Sequence, residues 1–294
     1  MTIDLQTASA FLAAHGRVLD RVRLDLHLGD GDGRAVLRAL DAYRNPDGGY
    51  GWGLEPDLRA QESQPAAAMH ALEIMAEAAA SDDTPARDLC DWLERHTLAD
   101  GGLPFALPIE SPAACAPFWT DADPTISSLM MTAQVAANAY RVGRYDRSVA
   151  EHPWLVCASE YCTTAIASIE GAPHAYELLF AIRFLDAAAA AGVETSSLLD
   201  HLGQHLPPDG RMHVEGGSDD ETLHPLDISP DPGCPSRRLF SDEVITADRS
   251  RLAQLQQPDG GWKVDFASYS PAAALEWRGY TTVAAITTLL ADDG

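Results

Sequence analysis

PDGGYGWGLEPD, residues 46–57, sets the reading of this chain. The Pro-Asp-Gly-Gly run reverses the chain, because glycine reaches positive φ without a Cβ penalty. The signal returns at Asp100 in ADGGLPF, at Asp259 in QQPDGGWKVDF and, weakened, at Asp209 in PPDGRMHVE. Successive copies lie about 53 residues apart, except that Asp100 and Asp209 are separated by about twice that, so one further copy is expected near residue 154. There VAEHPWLVCASEYC keeps an aromatic, Trp154, and lacks the glycines. No Gly-Lys-Ser/Thr follows any copy, which excludes a phosphate loop.

Each turn is flanked in the same way. RAVLRALDAYR, ARDLCDWLERHT, SSLLDHLGQHL and DRSRLAQLQQ precede their turns with apolar residues at helical spacing. The segments that follow, 64–80, 126–142, 173–191 and 279–291, are alanine-rich and apolar around most of their circumference. The first set is expected outside and the second inside. Residues 3–26 read as one further helix, ended by GDGDG at 29–33. The pattern predicts an all-α fold: a single domain over 1–294, built as an α/α toroid of five to six helical-hairpin repeats spanning about 34–290. One rim should carry the turns, and the other short links such as SDDTPA, 81–86.

With 44 acidic and 20 basic residues the formal charge is −24, which repels nucleic acid and anionic membrane. Hydrophobic residues make up 46%, enough for a large core. No signal peptide is read at the N-terminus, no membrane span is predicted, and five scattered cysteines without a CxxC predict neither a disulfide nor a structural zinc. A cytoplasmic protein without a cofactor is expected, in an oligomeric state that the sequence leaves open.

QQPDGGW, 256–262, resembles the QW repeat of the prenyltransferase and squalene-oxidase repeat group, which includes class II terpenoid cyclases and protein prenyltransferase β subunits. TDADPTISSLMMTA, 120–133, resembles the DxDD motif of those cyclases. The resemblance implies Asp123 as the proton donor and Asp121 as its partner, with Thr125 matching the threonine that often follows. Pro124 stands where the last aspartate would be, and Asp123-Pro124 also reads as a helix start.

The remaining candidates sit between a turn and its following helix. They are Trp52, Glu55 and Asp57; His174 and Glu177 at i, i+3; Asp227 beside His224; and Glu276, Trp277 and Arg278 just before the last helix. Helix capping explains such acids equally well. The proline-rich stretch 224–240 marks a candidate lid. Three functions are consistent with this pattern. One is an enzyme acting on an isoprenoid or similar apolar substrate at the mouth. The second is a carbohydrate-active toroid with paired carboxylates. The third is a non-catalytic binding or scaffold toroid. A deep apolar cavity, an acidic cleft with aromatics, and a plugged centre would distinguish them.

Overall fold

In the computed structural model, which describes residues 3–79 and 85–291, the chain is all-α apart from one small hairpin. Its helices can be taken in consecutive pairs along the chain. The first pair is α1 (Leu5–His15) and α2 (Val18–His27), and the second is α3 (Gly33–Leu40) and α4 (Pro65–Ala78). In the third, α5 (Ala86–His96) leads through the short α6 (Pro117–Thr120) to α7 (Leu129–Gly143). The short α8 (Arg147–Ala150) precedes the fourth pair, α9 (Pro153–Ala167) and α10 (Ala175–Ala190). The fifth is α11 (Ser196–Gly203), the hairpin β1 (Met212–His213) and β2 (Thr222–Leu223), and the short α12 (Pro225–Ile228). The sixth is α13 (Asp242–Gln254) and α14 (Pro271–Ala291). No helix among the described residues is long and apolar enough to cross a membrane.

The repeat turn is a local hydrogen-bonding unit. Asp47 Oδ1 accepts from Gly49 N at 2.9 Å, Asp100 Oδ1 from Gly102 N at 3.1 Å, and Asp259 Oδ1 from Gly261 N at 3.1 Å. The middle glycines, Gly48, Gly101 and Gly260, take φ of 92°, 91° and 94°, where any other residue is strained. The same aspartate reaches further: Asp47 also accepts from Ser63 Oγ at 2.8 Å and from the Trp92 indole on α5 at 3.1 Å. A repeat turn thus fastens its own pair to the first helix of the next. Gly48 lies against Asp88 of α5, and Gly101 against Cys157 of α9. The last turn, at Gly260 and Gly261, lies against Thr7 and Phe11 of α1, at the opposite end of the chain.

Burial follows the alanine content. Pro65 to Ala68, Ala71, Leu72, Ile74 and Met75 of α4, and Met131 to Ala139 of α7, are buried. Small side chains let α7 pack closely between α4 and α10. The first helices bury one face only, such as Leu89, Cys90, Trp92 and Leu93 of α5. Helix starts carry the expected chemistry, with Ser128 capping α7 and prolines opening α4, α9 and α14.

Four expectations are corrected. Residues 3–26 form two helices, because Gly16 and Arg17 are extended and let α2 fold back on α1. The stretch around 154 is the first turn of α9, not a turn between paired helices; that turn lies at 168–174, between α9 and α10. The 224–240 stretch is anchored rather than lid-like: Ile228, Ser229 and Ser236 are fully buried, and Ser236 N and Oγ donate to the buried Asp186 of α10 at 2.8 and 2.5 Å. Glu276, Trp277 and Arg278 lie within α14, which begins at Pro271. Of the expected link at 81–86, residues 81–84 lie outside the described residues.

Candidate functional site

The second helix of every pair sends charged or aromatic side chains to one interior cluster. Arg23 of α2 is 1% exposed and forks onto Glu77 of α4, Nε to Oε2 at 2.7 Å and Nη2 to Oε1 at 2.6 Å. Its guanidinium lies 5.2 Å from the ring centre of Tyr280 on α14, whose hydroxyl donates to Glu73 Oε1 at 2.8 Å. His70 of α4 stands between two carboxylates, with Nε2 2.9 Å from Glu55 Oε2 and Nδ1 3.3 Å from Glu73 Oε2. Beside it, the Trp277 indole donates to Asp57 Oδ2 at 2.7 Å, and Tyr269 N donates to Asp57 Oδ1 at 2.9 Å. Edge-on contacts of Trp277 with Tyr280 and with Phe266 complete this wall.

The facing wall comes from α7, α10 and α12. Arg183 of α10 donates through Nε and Nη2 to the Asp227 carbonyl oxygen. Tyr176 and Phe180 stack one turn apart on the same helix, and Asn138 and Arg141 lie at neighbouring positions on α7. Glu73, Glu77, Tyr280, Arg183 and Asp227 are half-buried, and the gap between these two walls is the candidate chamber.

The carboxyls of this chamber are set far apart in acidity. Burial alone would raise Glu73, but His70 and Arg23 overcome it and bring Glu73 down to about 2. Burial pushes Asp227 up to about 6 against the hydrogen bond that it accepts from the His224 N–H. Burial also raises Asp57. For His70, burial favours the neutral ring, yet the two glutamates lift it to about 8.

That shift gives a pH dependence. A folded-state pKa raised from 6.5 to about 8 means that the folded protein binds the His70 proton more tightly than the unfolded chain. The stabilisation is complete below pH 6.5 and disappears as pH rises through about 8, a loss of about 2 kcal/mol. Urea midpoints measured from pH 6 to 9 should fall for the wild type and stay flatter for His70→Gln. Parallel curves would refute the assignment.

Of the residues expected from sequence, Glu55, Asp57, Trp277 and Asp227 belong to this cluster. Asp121, Asp123 and Glu177 line an open groove of about 750 Å³ with Phe105, Phe118 and Tyr161. Phe118 touches Tyr269, which connects the groove to Asp57. Asp123 lacks the environment of an undissociated proton donor: it is exposed, accepts from Thr125 N at 2.8 Å and Oγ1 at 2.6 Å, and is held below the usual carboxylate range, hence ionised, by those bonds. Protonating an alkene needs a dry, undissociated donor, so the geometry here is that of a turn. Asp121 is exposed as well.

The other expected residues do not converge on the chamber. Glu276 pairs with Arg59 at 2.6 Å, and Arg278 forks onto Asp259 at 2.8 and 3.0 Å. Trp52, half exposed at a φ of 58°, donates to Asn45. His174 caps α10 by accepting Tyr176 N at Nδ1, so Nε2 carries the proton that it donates to Glu215 O, and Glu177 is no co-ligand. Asp91, Glu94 and His152 are spaced as metal ligands, and the same reasoning argues against them. His152 Nδ1 accepts from Trp154 N, which places the proton on Nε2, 3.0 Å from Asp91 Oδ1.

Arg23, His70, Glu73, Glu77, Arg183 and Tyr280 were not singled out from sequence. The available signal was the i, i+3, i+7 spacing of His70, Glu73 and Glu77 in the otherwise apolar PAAAMHALEIMAEA.

No protein-family model and no curated protein matches the chain. Among solved structures it is similar to the crystal structure of a protein from Actinoplanes, with a TM-score of 0.58 and 16% identity over 98% of each chain. At that identity the likeness shows the fold alone.

Proposed function

We propose that the six helix pairs close into an α/α toroid of the prenyltransferase and squalene-oxidase repeat kind, and that the protein acts at the central chamber on a sugar-like, polyhydroxylated ligand by acid–base chemistry. Closure is supported by the last repeat turn packing on α1, and by α14 packing on α1 and α2 as well as on α13. The observation that carries the chemistry is that Arg183, which donates to the Asp227 carbonyl, lies within the field of both the Asp227 and the Glu73 carboxyls. Environments that drive two carboxyls apart assign an acid and a base. Asp227, at about 6, is the proton donor, and Glu73, at about 2, is the permanent carboxylate. Trp277, Phe266, Tyr176 and Phe180 offer ring faces for a pyranose. The isoprenoid reading needs an apolar lining, and a chamber holding Arg23, Glu73, Glu77, Arg183 and Asp227 is poorly suited to hydrocarbon or carbocation.

Oligosaccharides of varied linkage and farnesyl diphosphate, screened by thermal shift and product analysis, test this reading. A saccharide hit is expected, with Asp227→Asn lowering turnover about a hundredfold at unchanged folding. A response to farnesyl diphosphate alone, or a saccharide turned over equally by Asp227→Asn, would overturn it.

A further inference from the structure

Arg141 and Arg183 differ from the arginines that hold a carboxylate. Arg17, Arg23, Arg59, Arg251 and Arg278, all partly or fully buried, each have a carboxylate oxygen within 3.0 Å. Arg141 and Arg183 have none: no ion pair involves either among the described residues. Arg183 spends its bonds on the Asp227 carbonyl, and Arg141 makes one long contact, 3.5 Å, with Asn138 Oδ1. The chain has 44 acidic residues with which to neutralise them. Enclosing two guanidiniums without a counter-charge is costly, and the cost is largest where they repel each other. Tyr140 and Phe184, the sequence neighbours of Arg141 and Arg183, meet with ring centres 6.0 Å apart across the packed α7 and α10, and Arg183 is depressed first by burial and next by the charge of Arg141.

The nearby carboxyls Asp227, Glu73 and Asp186 favour the charged arginines from a distance, but none forms an ion pair with either, because each is held by other partners. Asp186 is engaged by Ser236 N and Oγ. Asp227 Oδ2 accepts from His224 N at 2.7 Å, and Glu73 is held by His70 and Tyr280. Both arginines keep partial solvent access, so a solute in the chamber can reach them. Guanidiniums left in this way form a fork for an oxyanion, which accepts several N–H donors at once.

We propose that Arg141 and Arg183 form an oxyanion subsite of the chamber, and that the natural ligand therefore carries a carboxylate or a phosphate or sulfate ester. This rests on the chamber reading given above and narrows it to an acidic ligand. Asn138 supplies a neutral polar neighbour.

Calorimetric titration of the intact protein with inorganic phosphate, sulfate and glucuronate, at constant ionic strength, tests the subsite without turnover. Saturable binding of at least one is expected. Phosphate or sulfate binding with glucuronate inert indicates an ester, and the reverse indicates a carboxylate. Arg141→Gln should weaken binding by roughly tenfold to a hundredfold. Arg141 holds no other element in place, so this variant should fold; Arg183→Gln loses the Asp227 carbonyl contact and serves as a second variant, with circular dichroism as its folding check. Asp227→Asn should still bind the anion saturably, because it removes a carboxyl and no N–H donor of the subsite, while losing turnover; this separates the subsite from the acid–base reading. No saturable binding of any of the three anions, or equal binding by wild type and Arg141→Gln, would overturn the proposal.

Discussion

Gly260→Ala is expected to cost about 4 kcal/mol of folding stability, read as a fall in the urea midpoint. Two effects add at this position. The φ of 94° is strained for alanine, and the new Cβ would sit 2.1 Å from Thr7 O and 2.3 Å from Thr7 C. These are backbone atoms of α1, so no rotamer change relieves the clash and the last turn must leave the first helix. Gly192→Ala is the control. Its φ of 88° is equally strained, but nothing lies within 4 Å of the added carbon, so about 1–2 kcal/mol is expected. Equal losses for the two variants would mean that the turn at Gly260 does not bind the chain ends together.

The repeat turn was legible because its chemistry is local. The aspartate accepts from the amide two residues on, and the glycine between them takes positive φ, so the sequence motif and the structural unit are the same seven or so residues. Where that chemistry is replaced, the reading failed. Between α9 and α10 the chain turns through Ile169 to Pro173 and is capped by His174, without Asp-Gly-Gly. Helical periodicity also runs through Gly16, so one helix was read in place of two.

The chamber was only partly legible for a different reason. Glu55, Asp57 and Asp227 stand out because they lie near turns or at helix starts, where polar residues attract notice; Trp277 does so because the sequence pattern places the last helix start at 279 rather than at Pro271. Arg23, His70, Glu73, Arg183 and Tyr280 lie inside helices, and their partners are remote. Tyr280 donates to Glu73 across 207 positions, and Arg23 to Glu77 across 54. No periodicity names such partners; Arg23 meets Glu77 because α2 packs on α4, and Tyr280 reaches Glu73 of α4 from the last pair. The proton-donor role of Asp123 does not transfer for a related reason. Two neighbouring aspartates were present, but Thr125 supplies hydrogen bonds that favour the ionised form, and solvent reaches the site.

Arg23 is where the remote contacts concentrate, and its removal should show it. The guanidinium lies 2.6 Å from Glu77, 3.8 Å from Asp20 and 4.0 Å from Glu73, and its own side chain is 1% exposed. In Arg23→Met, volume is nearly kept but three carboxylates lose their shared counter-charge. Removing one member of a buried ion pair leaves the other charged and poorly solvated, so about 4 kcal/mol of destabilisation is expected. The double variant Arg23→Met with Glu77→Leu removes the pair together and replaces it with apolar volume. It should recover at least about half of the loss, since isosteric apolar replacement of a buried pair is often near neutral. Glu77→Leu alone should be destabilising, because it frees the arginine. Chemical denaturation of the four proteins in one buffer gives the coupling directly. If the losses of the two single variants simply add in the double variant, Arg23 and Glu77 act independently, and α2 and α4 are joined by packing rather than by this charge pair.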